Sequence, residues 1–358
     1  MSRRPTLAVV GATGAVGSVM LDLLSTRPDI WGEIRLVASA RSAGRHLEVR
    51  GNSTEVVAIT PAAFDGVDVA MFDVPDQVSL DWAPIAAARG AVVVDNSGAF
   101  RMDPLVPLVV PEVNPGAVRD RPKGIVSNPN CTTLSMIVVI GALHRRYGLR
   151  EVVVASYQAA SGAGRLGIDQ LRAEIAAVSD AGRTGSAIGE RVGDVRAAVA
   201  DVAGDVFPAP LALNVIPWAG SLRDDDHTSE ELKVRNETRK ILELPELPVA
   251  ATCVRVPVIT THSLAVHARF EQQVDADEAR DLLSGAAGVR VVDDPARLQF
   301  PMPIDAVGTD PTYVGRIRRS IDDAFALDLF VCGDNLRKGA ALNTAQIAEL
   351  IAAEPQIH

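Results

Sequence analysis

Residues 6–17, TLAVVGATGAVG, constrain this chain more than any other stretch of it. The uninterrupted apolar run at 6–10 reads as a strand buried on both faces, as in a parallel sheet. Glycines at 11, 14 and 17 follow at once, and SVMLDLLSTRP then reads as a helix stopped by Pro28. A strand that turns on glycines straight into a helix leaves the first helical amides without partners and opens the backbone to close approach. Such amides suit the phosphates of a dinucleotide, although the spacing is GxxGxxG rather than the tighter GxGxxG. Gly11, Thr13, Gly14, Ala15, Val16 and Gly17 are therefore candidate cofactor contacts. On the pattern alone, the alternative is a glycine turn that only packs strand on helix.

The next strand, EIRLVA, ends at Ala38 and enters a polar loop with Ser39, Arg41 and Ser42. An NAD site usually presents Asp or Glu here for the ribose 2′-hydroxyl; a guanidinium and two hydroxyls suit a 2′-phosphate, hence NADP. A solvated loop arginine is the bland alternative. DVAMF (68–72) and AVVVDNSG (91–98) are further strand candidates with a helical APIAAARG between them, which predicts a doubly wound parallel sheet. Beyond residue 131 the segments EVVVASYQAAS, APLALNVIPW and TCVRVPVITTHSLAVHARF are longer and more alternating, and predict strands of a mixed or antiparallel sheet. Residues 335–354 read as a polar turn and an amphipathic helix that returns to the first domain. The expected fold is α/β: a Rossmann-type doubly wound domain (1–130, joined by the C-terminal helix 336–358) plus an α+β domain (131–335).

Composition narrows the function. A chain of 358 residues exceeds one ordinary core, so two domains are expected. A net charge of −10 argues against nucleic acid as a partner, so any anion must be held by local cations or backbone amides. Cys131, Cys253 and Cys332 lie far apart with no CxxC pair; they form neither a disulfide framework nor a zinc site, and they suit a reducing cytoplasm. The N-terminus does not read as a signal peptide, and no apolar run is long enough to span a bilayer, so no membrane partner is expected. RDDDH (223–227) reads as a solvated acidic loop, with no metal assigned to it.

In SNPNCTT, Asn130 is a good helix N-cap and Cys131 the first helical residue. Free amides and the helix dipole there favour thiolate over thiol, which is how a cysteine becomes nucleophilic near neutral pH. A small buried filler is the alternative. Thr228 and Glu231 spell a capping box, so a helix starts there with Glu230 and Lys233 on one face; by spacing alone these two read as a surface ion pair. In HSLAVHARF, His262 shares strand parity with Leu264 and Val266 and His267 with Ser263 and Arg269, so His262 is expected inside and His267 in solvent.

Taken in order, GATGAVG, SARSAG, SNPNCTT, SYQAASGAG, SEELKVRNETRKIL, TCVRVPVITTHS and GDNLRKGAALN resemble the aspartate-β-semialdehyde dehydrogenase family over nearly the whole chain. The resemblance implies a fold like glyceraldehyde-3-phosphate dehydrogenase, with the second domain serving catalysis and dimerisation. It implies NADP-dependent reduction of β-aspartyl phosphate to aspartate semialdehyde through a cysteine thioester, in biosynthesis of the aspartate-derived amino acids. Cys131 then corresponds to the nucleophile, Gln158 to the amide that orients the reacting group, and His262 to the acid/base. Arg255 corresponds to the arginine for the substrate α-carboxylate, Glu230 to the contact for its amino group, and Arg101 and Lys233 to the phosphate ligands. The same motifs add Ser161, Gly162 and Asn335 as cofactor contacts, and the implied assembly is a homodimer or a homotetramer. Arg255 and His262 lie an odd number of residues apart, so a straight strand puts them on opposite faces, and a bend near Pro257 is expected.

The chain also departs from the family. It reads DVPD at 73–76 where the family commonly has Ser-Ala-Gly-Gly, and two carboxylates turned towards the cofactor would weaken or alter its binding. Gly98 and Cys332 stand where serine is common. Two rivals follow. N-acetyl-γ-glutamyl-phosphate reductase performs the same chemistry but usually carries Gly-Cys-Tyr-Pro at the nucleophile, unlike NPNCTT. A non-catalytic dinucleotide-binding homologue finds support in DVPD alone.

Overall fold

A computed structural model of the chain describes residues 3–182, 188, 193–199 and 204–354. The opening segment forms β1 (Leu7–Val10), wholly buried, and α1 (Ala15–Thr26). β2 (Ile34–Ala38) pairs with β1 in parallel, and a hairpin absent from the sequence reading, β3 (His46–Val49) and β4 (Asn52–Ala58), extends that side. β5 (Val69–Phe72) lies on the other side of β1, followed by α2 (Asp76–Ala88), β6 (Val92–Asp95) and β7 (Ile125–Ser127). The seven strands run β3-β4-β2-β1-β5-β6-β7, parallel except for β3. Chain order reverses about β1, so the glycine turn opens into the crevice at the strands' C-terminal ends, where such sheets bind ligands. Gly11 permits this turn: its φ is +92°, and a Cβ on it would stand 2.0 Å from the Asp73 carbonyl oxygen.

At Cys131 the chain passes into α3 (Cys131–Tyr147), capped by the Asn130 side chain, which accepts from the Thr132 amide at 2.9 Å. The helix is apolar almost all round and correspondingly buried, with Leu134, Ile137, Val138 and Leu143 inside the second core. The second domain then runs β8 (Leu149–Gln158), α4 (Gly164–Gly182), α5 (Asp194–Val199), α6 (Ser229–Ile241), β9 (Val249–Arg255) and β10 (His262–Phe270). α7 (Ala276–Ser284), β11 (Val289–Val291), α8 (Pro303–Ala306), β12 (Thr312–Arg319) and β13 (Ala326–Gly333) complete it. Its sheet is mixed, in the order β11-β12-β13-β10-β8-β9. Among the described residues, no helix is long and apolar enough to cross a membrane.

Two strand expectations need correction. APLALNVIPW is not a strand: it makes a single bridge, Ile216 to Arg255, while Leu211, Ala212 and Ile216 pack with Phe207 and Leu171. Prolines at 208, 210 and 217 deny it ladder donors, so its apolar spacing serves loop packing. TCVRVPVITTHSLAVHARF is not one bent strand but two, β9 and β10, and β8 lies between them in the sheet. The parity reading of β10 separates the two histidines, although Ser263, on the parity of His267, is buried. His262, Leu264 and Val266 are buried, while His267 is half-exposed and pairs with Asp328 at 2.8 Å.

After β13 a π turn (Arg337–Ala341) leads into α9 (Leu342–Ala352), which shares a core with Leu7, Val9 and Met71 of the first sheet. Buried Lys338 pins this return, donating to Glu112 at 2.6 Å, Asn343 at 2.7 Å and Gln346 at 2.8 Å. Removing only the anion strands a buried ammonium. Glu112→Ala is therefore expected to lower unfolding stability by about 3–5 kcal/mol in urea titrations, and Glu112→Ala/Lys338→Met to recover most of it.

Candidate active site

Residues from distant motifs converge because β9, β8 and β10 lie side by side and meet at one edge of the second sheet. The register pairs Gln158 with Arg255, and Tyr157 with Ser263, so His262 falls across from Gln158 on its other side. The bend expected near Pro257 is unnecessary, since Arg255 ends one strand and His262 begins another. The N-terminus of α3 abuts this edge and places Cys131 Sγ 3.3 Å from His262 Nε2. Gln158 Nε2 donates to Thr132 Oγ1 at 2.7 Å, and Arg255 Nη1 donates to the Ala159 carbonyl at 2.6 Å. Gly162 closes over both: a Cβ there would stand 2.6 Å from Arg255 Nη1 and 3.1 Å from His262 Cε1. Asn335 is buried, accepts from the Thr261 amide at 2.8 Å and donates to Ser161 Oγ at 2.9 Å, tying the loop before β10 to the turn after β8.

α6 supplies the facing wall. Its capping box is formed as the sequence predicts, but the Glu230–Lys233 pair (2.7 Å) is not on the open surface. Glu230 is buried, and its other oxygen accepts from Asn130 Nδ2 at 3.0 Å and Gln158 Nε2 at 3.4 Å. The sequence reading passed over Glu237, two turns further along the same helix. Buried, it accepts from the Asn130 amide at 2.7 Å and from Arg101 Nη1 at 3.2 Å. Its helical spacing from Glu230 was the available signal. Arg101 also donates to the carbonyls of Asn128 (2.9 Å) and Asn96 (2.7 Å). Arg101, Lys233, Arg223 and Ser229 line a cavity of about 190 Å³, a fit for a small anion. Glu230, Asp205, Arg255, Phe207 and Trp218 line another of about 470 Å³, which presents two carboxylates and one guanidinium. Among the described residues, no group of three or more His, Cys, Asp or Glu is placed to hold a metal.

Cys131 opens α3 as the sequence predicts, and its surroundings act on the thiol against the helix end. Burial, and then the Glu230 carboxylate, push its thiol up to about 11, against the pull of Arg101, Arg255 and Lys233. Burial and the Arg255 charge push His262 down to about 3, so the pair is neutral at neutral pH. Burial acts to raise the Glu230 pKa, but Lys233, Asn130 and Arg101 outweigh it and the net shift is downward.

In the crevice of the first sheet, Gly14 caps α1, and Ala15, Val16 and Gly17 offer its first amides. Thr13 Oγ1 lies 3.4 Å from Ser42 Oγ, which draws the glycine turn to the loop after β2, where Ser39 and Arg41 are exposed. Amides, hydroxyls and a guanidinium around one concave end fit a dinucleotide. Of the DVPD carboxylates, Asp73 turns inward and Asp76 stays exposed. Asp73 accepts from Asn96 Nδ2 at 2.9 Å and from the Gly17 amide, one of the donors a phosphate would use. Asp76 accepts from the Gly98 amide at 2.8 Å, and a Cβ on Gly98 would stand 3.0 Å from Asp76 Oδ2. The two departures at 76 and 98 therefore accommodate one another. Cys332, the third, lies buried with its sulfur 3.3 Å from Ser263 Oγ.

Fold and site together define a two-domain, dinucleotide-binding oxidoreductase. Residues 6–121 match the family Semialdehyde dehydrogenase, NAD binding domain, and residues 140–338 match Semialdehyde dehydrogenase, dimerisation domain. The chain is 48% identical over 355 residues to the aspartate-semialdehyde dehydrogenase of Corynebacterium glutamicum, covering 97% of this chain and 99% of that one. It is 41% identical over 350 residues to that of Bacillus subtilis, covering 98% of each. The crystal structure of aspartate semialdehyde dehydrogenase II complexed with ASA from Vibrio cholerae matches with a TM-score of 0.90 at 36% identity, over 99% of this chain and 100% of that one. The chain belongs to the aspartate-semialdehyde dehydrogenase family.

If Glu230 holds the thiol in its neutral form, Glu230→Gln lowers the thiol pKa and speeds alkylation of Cys131 by iodoacetamide at pH 8. Well below the pKa, each unit of lowering raises the thiolate fraction about tenfold. A rate unchanged or slower than native would show that Glu230 does not govern the thiol.

Proposed function

We propose that the chain reduces β-aspartyl phosphate to aspartate semialdehyde with NADPH, reversibly and with release of phosphate. Its setting is the biosynthesis of lysine (through diaminopimelate), threonine and methionine in the cytoplasm. The observation that carries this reading is Cys131 Sγ 3.3 Å from His262 Nε2, with the Arg101–Lys233 cavity and the Glu230–Arg255 cavity on the same wall. The name of the Vibrio cholerae relative, complexed with ASA, supports the substrate.

Arg255 binds the substrate α-carboxylate and Glu230 its ammonium. Gln158 orients the reacting carbonyl. The Cys131 sulfur attacks the acyl carbon and gives up its thiol proton, which the departing phosphate carries away; a C–S bond forms, the bond to phosphate oxygen breaks, and phosphate leaves against Arg101 and Lys233. The dinucleotide, when bound, supplies hydride. Gly11, Thr13, Gly14, Ala15, Val16 and Gly17 hold its phosphates, while Ser39, Arg41 and Ser42 favour a 2′-phosphate and hence NADP. Ser161, Gly162 and Asn335, close to Cys131 and His262, serve its nicotinamide end. Residues 1–130 with 336–358 form the dinucleotide domain, and residues 131–335 form the catalytic and dimerisation domain. A homodimer forms through the outer face of the second sheet, where Val153 and Tyr157 remain 42% and 38% exposed beside Phe330.

The test is an absorbance assay with aspartate semialdehyde and inorganic phosphate, run with NADP, with NAD and with Cys131→Ala. Phosphate-dependent NADPH formation that vanishes in the variant is expected; turnover independent of phosphate, or retained by the variant, would overturn the reading. Asp73 gives a second test. Burial pushes its carboxyl up, Asp95 adds to this, and Asn96 and the Gly17 amide oppose it. A phosphate nearby further favours the protonated form, so binding takes up a proton and NADP affinity rises as pH falls. By calorimetry at pH 8, Asp73→Ser is expected to bind NADP about five- to a hundredfold more tightly, corresponding to about 1–3 kcal/mol, with a flatter pH dependence.

A further inference from the structure

RDDDH (223–227) reads in sequence as a solvated acidic loop, yet its first residue lines the small anion cavity beside Arg101 and Lys233. A short hairpin puts it there. Leu222 bridges Thr228 antiparallel, the Arg223 amide donates to the His227 carbonyl at 2.8 Å, and the Ser221 amide donates to Ser229 Oγ at 3.0 Å. Thr228 is the N-cap of α6, so the backbone of Arg223 is tied to the helix that carries Lys233. Its side chain is not tied: the residue is exposed and, among the described residues, makes no ion pair or side-chain hydrogen bond. Asp224, Asp225 and Asp226, which follow it, are also exposed, and none of them pairs with it.

The cavity lacks charge without it. Arg101 is matched by Glu237 at 3.2 Å and Lys233 by Glu230 at 2.7 Å, so those two cations bring almost no net charge. Gly98, on the same lining, brings no side-chain donor, and its amide already donates to the Asp76 carboxylate at 2.8 Å. A phosphate group carries more than one negative charge near neutral pH. Paired ions with a further carboxylate beside them would hold it weakly. Arg223 is the one cation on this lining left unmatched among the described residues.

We propose that Arg223 is a specificity-determining residue for the phosphate end of the reaction: the third cation of this cavity, whose guanidinium closes on the phosphoryl group and gives the site its net positive charge. This rests on the reading of the cavity as the phosphate site. A planar guanidinium suits two phosphate oxygens at once, and an exposed, unpaired one gives up no existing partner to bind them. Being open to solvent, it also draws the anion in, an attraction that salt screens. Arg101 and Lys233 then position the phosphate, and Arg223 supplies the charge that neither has left over.

The test measures binding of inorganic phosphate to the full chain by calorimetry, which needs no turnover. At low salt Arg223→Gln is expected to bind phosphate about three- to tenfold more weakly than the native chain, and Arg223→Lys to lose less. Arg297→Gln, which removes an exposed charge outside the cavity, is expected to change nothing. The difference between native and Arg223→Gln is expected to shrink at about 1 M sodium chloride. In the steady-state assay Arg223→Gln raises KM for phosphate by the same factor and leaves KM for aspartate semialdehyde and for NADP within about twofold of native. Phosphate affinity in Arg223→Gln within about twofold of native at low salt, an equal loss in Arg297→Gln, a loss that salt leaves unchanged, or a native chain that binds no phosphate would overturn the proposal. A chain that binds phosphate through Arg223 yet does not turn over would sink the function proposed above and leave this assignment standing.

Discussion

Two buried carboxylates of α6 hold the start of α3. Glu237 accepts the Asn130 backbone amide and Glu230 its side-chain amide, while Asn130 caps the helix through Thr132. Because Glu237 also binds Arg101, the same clamp joins the nucleophile's helix to a guanidinium anchored on the first domain. A buried carboxylate persists only when hydrogen-bonded and paired, so both partners are fixed in position by the cost of losing either. The C-terminal segment backs the arrangement from the other side. Asn343 donates to Asn128 at 2.6 Å, and Gly339 presses on Cys131, where a Cβ would stand 3.1 Å from the cysteine Cβ.

That clamp sets the electrostatics of the site. Glu230, needed to hold Asn130 and Lys233, is also the charge that opposes ionisation of Cys131. Three cations counter it, yet desolvation is the largest influence on the thiol and on His262 alike. Desolvation of both groups therefore opposes an ion pair between the sulfur and the imidazole. At the cofactor crevice the same kind of competition recurs, because Asp73 occupies the Gly17 amide at the very helix end that favours anions.

Much of this was readable one segment at a time. The β1 strand, the glycine turn, the Asn130 cap and the Thr228–Glu231 capping box are each written within a few residues, and each formed as read. Parity alone separated buried His262 from half-exposed His267. Local reading failed where partners were remote. APLALNVIPW has an apolar rhythm but no ladder, and the Arg255–His262 puzzle dissolved once β8 was seen to lie between their strands.

Local order in the chain therefore settled which elements form and where they begin, because turns, caps and alternation are consequences of neighbouring residues. Folding settled the surroundings of each site residue. The charges that act on the Cys131 thiol, the Ala159 amide that meets His262 Nδ1, the inward turn of Asp73 and the pairing of Glu237 with Arg101 all involve groups tens to more than a hundred positions apart. Desolvation and hydrogen-bond geometry are properties of the assembled surroundings, and no single segment of the chain contains them.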